Sequence, residues 1–180
     1  MIKDPSRKWI LWGIPVLFVL GSAVHFIYDW SGKQALVGIF TPVNESVWEH
    51  LKLTFWPMLI WWFAWYFIYG RKNKEPAANW IVAATAAQLV CPIVILTFFY
   101  TYTGAFGIES LFLDIFSLLL ALTIAQTFAL HLYKYGKFKR PCMIIAIFIL
   151  VLLAAIFTYF TFAPPHIPLF KDSLTGAYGI

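Results

Sequence analysis

Apolar residues in this chain occur in five long runs that short polar stretches separate. Each run has the roughly 20 residues that an α-helix needs to cross a bilayer. The connections are short, so consecutive helices are expected to be antiparallel neighbours. The pattern predicts an all-α integral membrane protein, a bundle of five transmembrane helices that forms a single domain over residues 1–180. The predicted helices cover about residues 9–28, 51–70, 79–103, 109–133 and 142–163.

Residues 31–50, SGKQALVGIFTPVNESVWEH, are less apolar than the five runs. Gly38 and Pro42 interrupt this stretch, and it lacks the length of a spanning helix. Irregular backbone at membrane depth is tolerated only where it packs against protein or lines a wet cavity. We therefore expect a short interfacial or re-entrant segment between helices 1 and 2.

The composition agrees with the pattern. The chain is 62% hydrophobic and 12% charged, with a mean hydropathy of +0.79, whereas soluble domains are about 45–50% apolar and about 25% charged. The lipid bilayer is thus the expected partner. The net charge of +5 comes from short separate clusters, and this distribution argues against nucleic-acid binding, which needs a basic patch. The two cysteines give no disulfide framework and no zinc-finger spacing.

The lysines and arginines predict the orientation. Ten of the thirteen, Lys3 among them, precede the first run or follow the second and fourth runs. Only Lys33, Lys52 and Lys171 fall on the other side. Cytoplasmic segments carry an excess of positive residues. The expected location is the plasma membrane, with a cytoplasmic N-terminus and an extracytoplasmic C-terminus.

This topology brings most of the unusual polar side chains to the outer face. His25 and Asp29, at the outer end of the first predicted helix, share a helical face, and so do Glu45 and Glu49 if their stretch is helical. The eight acidic and histidine residues expected at this face are His25, Asp29, Glu45, Glu49, His50, Glu109, Asp114 and His166.

Histidines and carboxylates together suit a divalent ion such as zinc. The candidate ligands are His25, His50 and His166, with Asp29 or Asp114 as the fourth ligand or as an orienting group. The candidate catalytic residues are Glu45, Glu49 and Asp114, and either glutamate would be the general base that activates a bound water. The corresponding function is metal-assisted hydrolysis or group transfer on a lipid or a membrane-anchored peptide.

Structural roles explain the same residues. Ser46 and Glu49 fit a capping box before an apolar run, and Glu49 can pair with Lys52. Asp114 can hydrogen-bond to a nearby serine or tyrosine, although an acid within a spanning segment indicates function by default. Ser22, His25 and Asp29 form a weaker candidate for a nucleophilic triad, since one helix face rarely supplies convergent geometry.

A non-enzymatic function also fits these residues. Asp114 and the pair of glutamates would then bind cations or protons in a small transporter, or the polar rim would dock a partner as part of an accessory protein. A bound metal with an open coordination position favours the enzyme. A continuous polar path from Asp114 towards His131 favours transport.

Three segments carry a resemblance: HFIYDWSG, GIFTPVNESVWEHLKL and PPHIPLFKDSLTGAYG. They resemble segments of a small bacterial multi-pass membrane-protein family of unknown function, and the likeness extends over most of the chain. The resemblance implies a compact bacterial membrane protein and no assigned activity. A looser similarity is to zinc-dependent membrane hydrolases related to alkaline ceramidase, which also use serine, aspartate and three histidines. This chain differs from them in helix count and motif spacing.

Overall fold

The computed structural model describes residues 4–180, so Lys3 lies outside the described residues. Residues 4–180 are 74% helical and contain no β-strand. Two π-helical turns, Tyr66–Gly70 and Thr101–Ala105, extend α5 and α6. The described part of the chain contains eight α-helices: α1 Pro5–Val24, α2 Ile27–Trp30, α3 Ala35–Gly38, α4 Val47–His50, α5 Lys52–Trp65, α6 Ala77–Tyr100, α7 Leu111–Tyr135 and α8 Arg140–Phe162.

Four helices of the described chain are long and apolar enough to cross a membrane. They are α1, α6 with its π-turn, α7 and α8. The run at 51–70 differs from expectation, because α5 has 14 residues and then continues as the five-residue π-turn Tyr66–Gly70. The structure thus confirms an all-α chain with apolar helices compatible with a membrane protein. It does not confirm the count of five spans.

The first apolar run also ends earlier than predicted. α1 stops at Val24, residues 25 and 26 form a turn, and Ile27–Trp30 is a separate short helix. The segment that follows holds the one-turn helices α3 and α4, joined by bends. This break in the helix decides which residues can share a face with His25.

Small side chains allow α6 and α7 to pack closely along their length. Five fully buried alanines lie on these two helices, namely Ala83, Ala87, Ala121, Ala125 and Ala129. Two indole groups inside the bundle have hydrogen-bond partners, of the kind that a membrane interior favours. The indole of Trp62 donates to the side-chain oxygen of Gln126 at 3.0 Å, and the indole of Trp80 donates to the carbonyl of Trp62 at 2.9 Å.

α1 lies against α5 through an aromatic stack and a glycine contact. The ring of Trp9 stacks on Trp61 and on Trp65, with centroids 4.0 Å and 4.7 Å apart. Near the other end of α1, a Cβ on Gly21 would lie 2.8 Å from the carbonyl oxygen of Leu53. The absence of a side chain at Gly21 is therefore what permits the close approach of the two helices.

Residues 163–180, which we call the return segment, fold back against α8 and α4. Phe170 is buried against Trp48 with ring centroids 4.8 Å apart. The amide of Ile180 donates to the carbonyl of Thr161 at 3.1 Å. Gly179 has a φ of +66°, and a Cβ there would approach the Thr161 oxygen to 2.9 Å. Glycine suits this position on both grounds.

Candidate metal centre

Three side chains from separate elements meet at one end of the bundle. The Nε2 atoms of His25 and His50 are 3.1 Å apart. Glu45 Oε2 lies 3.6 Å from the first and 3.3 Å from the second. We call this group the His25–Glu45–His50 cluster. The predicted proximity of His25 to Glu45 and His50 is confirmed.

The size of this triangle matches the coordination sphere of zinc. From these three distances, the point in their plane equidistant from all three atoms lies about 1.9 Å from each. Moving that point about 0.7 Å out of the plane makes each distance about 2.05 Å, the value typical of zinc bound to histidine and carboxylate. The separations of the three ligand atoms are therefore compatible with a bound divalent ion.

Local structure positions each member of the cluster. His25 follows the last residue of α1, beyond the close contact of Gly21 with α5. His50 ends α4, whose N-cap Ser46 accepts the amide hydrogen of Glu49 at 3.3 Å. Glu45 directly precedes that cap, so it is not part of the helix.

The second ring nitrogen of His50 has a defined partner. Nδ1 lies 2.8 Å from the carbonyl oxygen of Ser46, which can only accept a hydrogen bond. Nδ1 of His50 therefore carries the hydrogen, and the lone pair of a neutral ring is on Nε2, facing His25 and Glu45. Histidine ligands of metals characteristically donate their other ring nitrogen in this way.

The charges around the cluster reinforce one another. Hydrogen bonds from His25 and then His50 hold the pKa of Glu45 well below its usual range, although partial burial acts in the opposite direction. Burial alone would lower the pKa of His50, but Glu45 and the Ser46 carbonyl outweigh it, and the pKa is raised. The carboxylate of Asp114 adds to this rise, so α7 contributes charge to the same region.

The cluster is open to solvent. The side chains of His25, His50 and Glu45 are 30%, 31% and 39% exposed. A set of two histidines and one glutamate leaves one tetrahedral position free, which is the arrangement of catalytic rather than structural zinc sites. The arrangement can therefore hold an ion and still admit a water or a substrate group.

Glu49 faces away from the cluster, into the protein. Its carboxylate is 2% exposed, pairs with Lys52 Nζ at 2.6 Å and accepts the amide hydrogen of Val43 at 3.0 Å. The predicted pair with Lys52 and the predicted cap by Ser46 are both confirmed. The reciprocal half of the capping box is not formed, since the amide of Ser46 donates to Asn44 Oδ1 instead. Glu49 is therefore not placed to act as a base on a bound water.

Lys52 connects three parts of the fold, and the sequence predicts only its pair with Glu49. It is fully buried, and its ammonium group donates to Glu49, Thr161 and the carbonyl of Gly38 at 2.6, 2.6 and 2.8 Å. It thereby ties α5 to α8 and to the segment before Glu45. The one sequence signal for this role is its spacing of three residues from Glu49.

Two expected ligands lie elsewhere. Asp29 is exposed and faces Lys33 at 4.0 Å, because the break after α1 removes the helical spacing that would have aligned it with His25. His166 is exposed in the return segment and stacks on Tyr178 with ring centroids 4.4 Å apart. Among residues 4–180, the group of potential ligands that converges comprises His25, Glu45 and His50.

The remaining polar candidates have structural partners. Asp114 accepts a hydrogen bond from the hydroxyl of Tyr102, which confirms the tyrosine alternative. Ser22 donates to the carbonyl of Phe18 at 2.9 Å and does not contact His25. His131 is exposed near the end of α7, beside the ring of Tyr135. The convergent chemistry of the described chain thus centres on the His25–Glu45–His50 cluster, with Asp114 nearby.

Comparisons with known proteins agree with the resemblance seen in the sequence. Neither the curated proteins nor the solved structures contain a match to this chain. Residues 1–180, the whole chain, match a protein family described as "Family of unknown function (DUF6512)". The chain therefore belongs to DUF6512, a family of unknown function.

Proposed function

We propose that this is a multi-pass membrane protein that binds a divalent metal ion, such as zinc, through His25, Glu45 and His50. The ion serves hydrolysis or group transfer on a lipid or a membrane-anchored peptide. The observation that carries the proposal is the triangle of ligand atoms with sides of 3.1, 3.3 and 3.6 Å. Its dimensions are those of one face of a zinc tetrahedron.

The chemistry follows from the ligand set. A zinc ion held by three protein ligands lowers the pKa of a bound water to about 7 and polarises a carbonyl or phosphoryl oxygen. Glu45 supplies the anionic ligand, and Ser46 fixes the ring of His50. Asp114, which accepts a hydrogen bond from Tyr102 and adds to the rise in the pKa of His50, is the residue that we propose as the proton acceptor.

The surroundings of the cluster favour an amphiphilic substrate. The ring of Phe26 lies 5.1 Å from that of His25 and stacks on Trp30 at 5.8 Å. Both of these aromatic side chains are exposed, next to the end of an apolar helix long enough to span. Aromatic residues are enriched at the level of the lipid headgroups. A reacting bond in the headgroup region of a lipid or lipopeptide would then lie at the same level as the cluster.

The topology that we propose has five spans, with the second running from Lys52 to Gly70. α5 and its π-turn follow one another without a break, and Lys52 is neutralised by Glu49. The N-terminus is cytoplasmic and the cluster faces outwards at a bacterial plasma membrane. Reporter fusions after residues 75 and 138 should read cytoplasmic, and those after 106 and 175 external. A cytoplasmic signal at 175 would contradict this topology.

Metal content of the detergent-purified protein tests the site. Wild-type protein should retain about one zinc ion per chain, and Glu45→Gln and His50→Ala should lose it. Asp29→Asn is the matched control, because it removes an exposed carboxylate that contacts only Lys33 among the ion-pair partners described for residues 4–180. Zinc at 100 times its Kd should stabilise the wild type by about 2.7 kcal/mol. The proposal would be refuted if the purified protein contained no metal and its melting temperature changed neither with added zinc nor with chelator.

Catalysis needs its own assay. Zinc-loaded protein in lipid nanodiscs should release the headgroup or acyl chain from a labelled phospholipid, or cleave a labelled lipopeptide. Glu45→Gln should abolish this turnover, whereas Asp29→Asn should leave it unchanged. Equal turnover by the wild type and Glu45→Gln would separate the activity from this centre.

The alternative is proton binding without a metal in a non-enzymatic protein. The close approach of the two Nε2 atoms and the raised pKa of His50 support it, since His25, His50 and Glu45 can share a proton. The pair of glutamates is less suited to that function than the sequence suggests, because Glu49 is neutralised by Lys52. One bound zinc ion per chain would favour the metal site. A zinc-free protein that carries out proton-coupled transport in vesicles would favour this alternative.

A further inference from the structure

Glu45 has no helix to hold it. It lies in the bend between α3 and α4, directly before the N-cap. Local bonds hold part of the backbone at 44–46, and contacts from elsewhere in the fold would restrict it further. A metal site built on a mobile loop binds weakly, because ordering the loop costs free energy on binding. The contacts that hold this backbone therefore determine the affinity of the proposed centre.

The return segment supplies such contacts. Ser173 Oγ donates to the carbonyl oxygen of Glu45 at 3.3 Å. Asn44 Nδ2 donates to the carbonyl oxygen of Gly179 at 3.1 Å. The other end of the Asn44 amide, Oδ1, accepts the amide hydrogen of Ser46 at 3.0 Å. Asn44 therefore connects the residue that caps α4 to the return segment, with Glu45 between them.

The return segment is itself fixed, so it can serve as a support. Asp172 is buried and accepts hydrogen bonds from the amide of Leu174 at 3.0 Å and from the hydroxyl of Thr175. Its backbone closes the same turn, since the amide of Asp172 donates to the carbonyl of Ala177 at 2.9 Å. The amide of Ile180 fastens the far end to α8.

The electrostatics of Asp172 agree with this arrangement. Burial alone would raise the pKa of Asp172, but the donors from Thr175 and Leu174 outweigh it and the pKa is lowered. The carbonyl of Glu45 faces the return segment through the hydrogen bond from Ser173.

We infer that the return segment is the positioning device of the proposed metal centre and that Asn44 is the positioning residue through which it holds Glu45. This inference rests on the proposed metal-binding function. The two hydrogen bonds described for the Asn44 side chain join it to Gly179 and Ser46, and neither involves a histidine. Asn44 acts on the ion only through the placement of Glu45.

The test compares Asn44→Ala with Asn73→Ala in the full chain. Asn73 makes the same type of bond, Nδ2 to the carbonyl of Tyr69 at 2.9 Å, at the opposite end of the bundle. Outer-sphere changes typically cost 10–100-fold in metal affinity, and Asn44→Ala should weaken zinc binding by that factor while Asn73→Ala leaves it unchanged. The absorption spectrum of bound Co²⁺ should also change in Asn44→Ala, because a carboxylate ligand is lost or displaced.

A second measurement does not depend on metal. Hydrogen exchange of a peptide covering residues 43–50 should speed up in metal-free Asn44→Ala and in the milder Ser173→Ala. Faster exchange together with weaker zinc binding supports the inference. Unchanged exchange, or faster exchange with unchanged zinc affinity and Co²⁺ spectrum, overturns it. If the wild type binds no zinc, the metal site is rejected and this inference with it. Faster exchange in Asn44→Ala would then still establish the contact between residues 43–50 and the return segment. If Asn44→Ala does not fold, Ser173→Ala decides between these outcomes.

Discussion

The buried pair of Lys52 and Glu49 offers a quantitative test of what holds the segment before the cluster. Lys52→Met removes an ammonium group that is fully buried and has three short contacts, to Glu49, Thr161 and Gly38. In this variant Glu49 would keep the hydrogen bond from the Val43 amide. Its other carboxylate oxygen, Oε1, already has no hydrogen-bond partner among residues 4–180. Leaving one charge of a buried pair without its partner costs about 3–5 kcal/mol.

Glu49 can reduce this cost by taking up a proton. Burial already raises the pKa of Glu49, and Lys52 opposes that rise, so removal of Lys52 raises the pKa further. A group whose pKa is raised by folding is most stabilising at low pH, and that contribution is lost as the pH rises through the folded-state value. The stability deficit of Lys52→Met should therefore be larger at pH 8 than at pH 5.

Thermal unfolding in detergent, followed by tryptophan fluorescence, measures this deficit. At about 2–4 °C per kcal/mol for a chain of this size, Lys52→Met should lower Tm by about 6–20 °C at pH 8. The double variant Lys52→Met/Glu49→Gln leaves no buried charge at this site and should recover more than half of the loss. A deficit below about 1 kcal/mol that is flat with pH, or a double variant as unstable as the single one, would refute the reasoning.

Two further predictions concern packing and pH. Gly21→Ala should destabilise the protein by about 1–3 kcal/mol, since its Cβ would lie 2.8 Å from the backbone oxygen of Leu53, whereas Gly104→Ala should be neutral because nothing lies within 4 Å; equal Tm values for the two variants would contradict this. Zinc affinity, measured by competition with a fluorescent chelator, should fall as the pH is lowered from about 8 to 6, because the raised pKa of His50 lets protons compete above the ordinary imidazole value of about 6.5. An affinity independent of pH would argue against His50 as a ligand.

The helical class could be predicted because apolar runs long enough to span have few other solutions. The short connection at 31–50 also predicted that His25 and His50 meet. The break after Val24 could not be predicted, since no glycine or proline marks HFIY. It separates Asp29 from His25. That single turn decides which carboxylate lies beside the histidines.

Glu45 shows why the third corner of the cluster was harder to assign. In the sequence it was grouped with Glu49, four residues away, as a candidate base. Its place beside the histidines depends on Ser173 and on the contact of Asn44 with Gly179, which are 128 and 135 residues distant from their partners. Bonds across such separations leave no periodic pattern in the sequence.

The stack of Trp9 on Trp61 and Trp65 has a consequence at the far end of α1. Trp9 stacks on two residues one helical turn apart, so a slide of α1 along α5 by one turn, about 5.4 Å, would carry it past one of the two rings and break that contact. His25 follows Trp9 by sixteen residues, which is about 24 Å along a helix. The aromatic stack therefore fixes the position of α1 along the length of α5. By fixing α1 along α5 at one end of the bundle, it sets where His25 meets His50 at the other end.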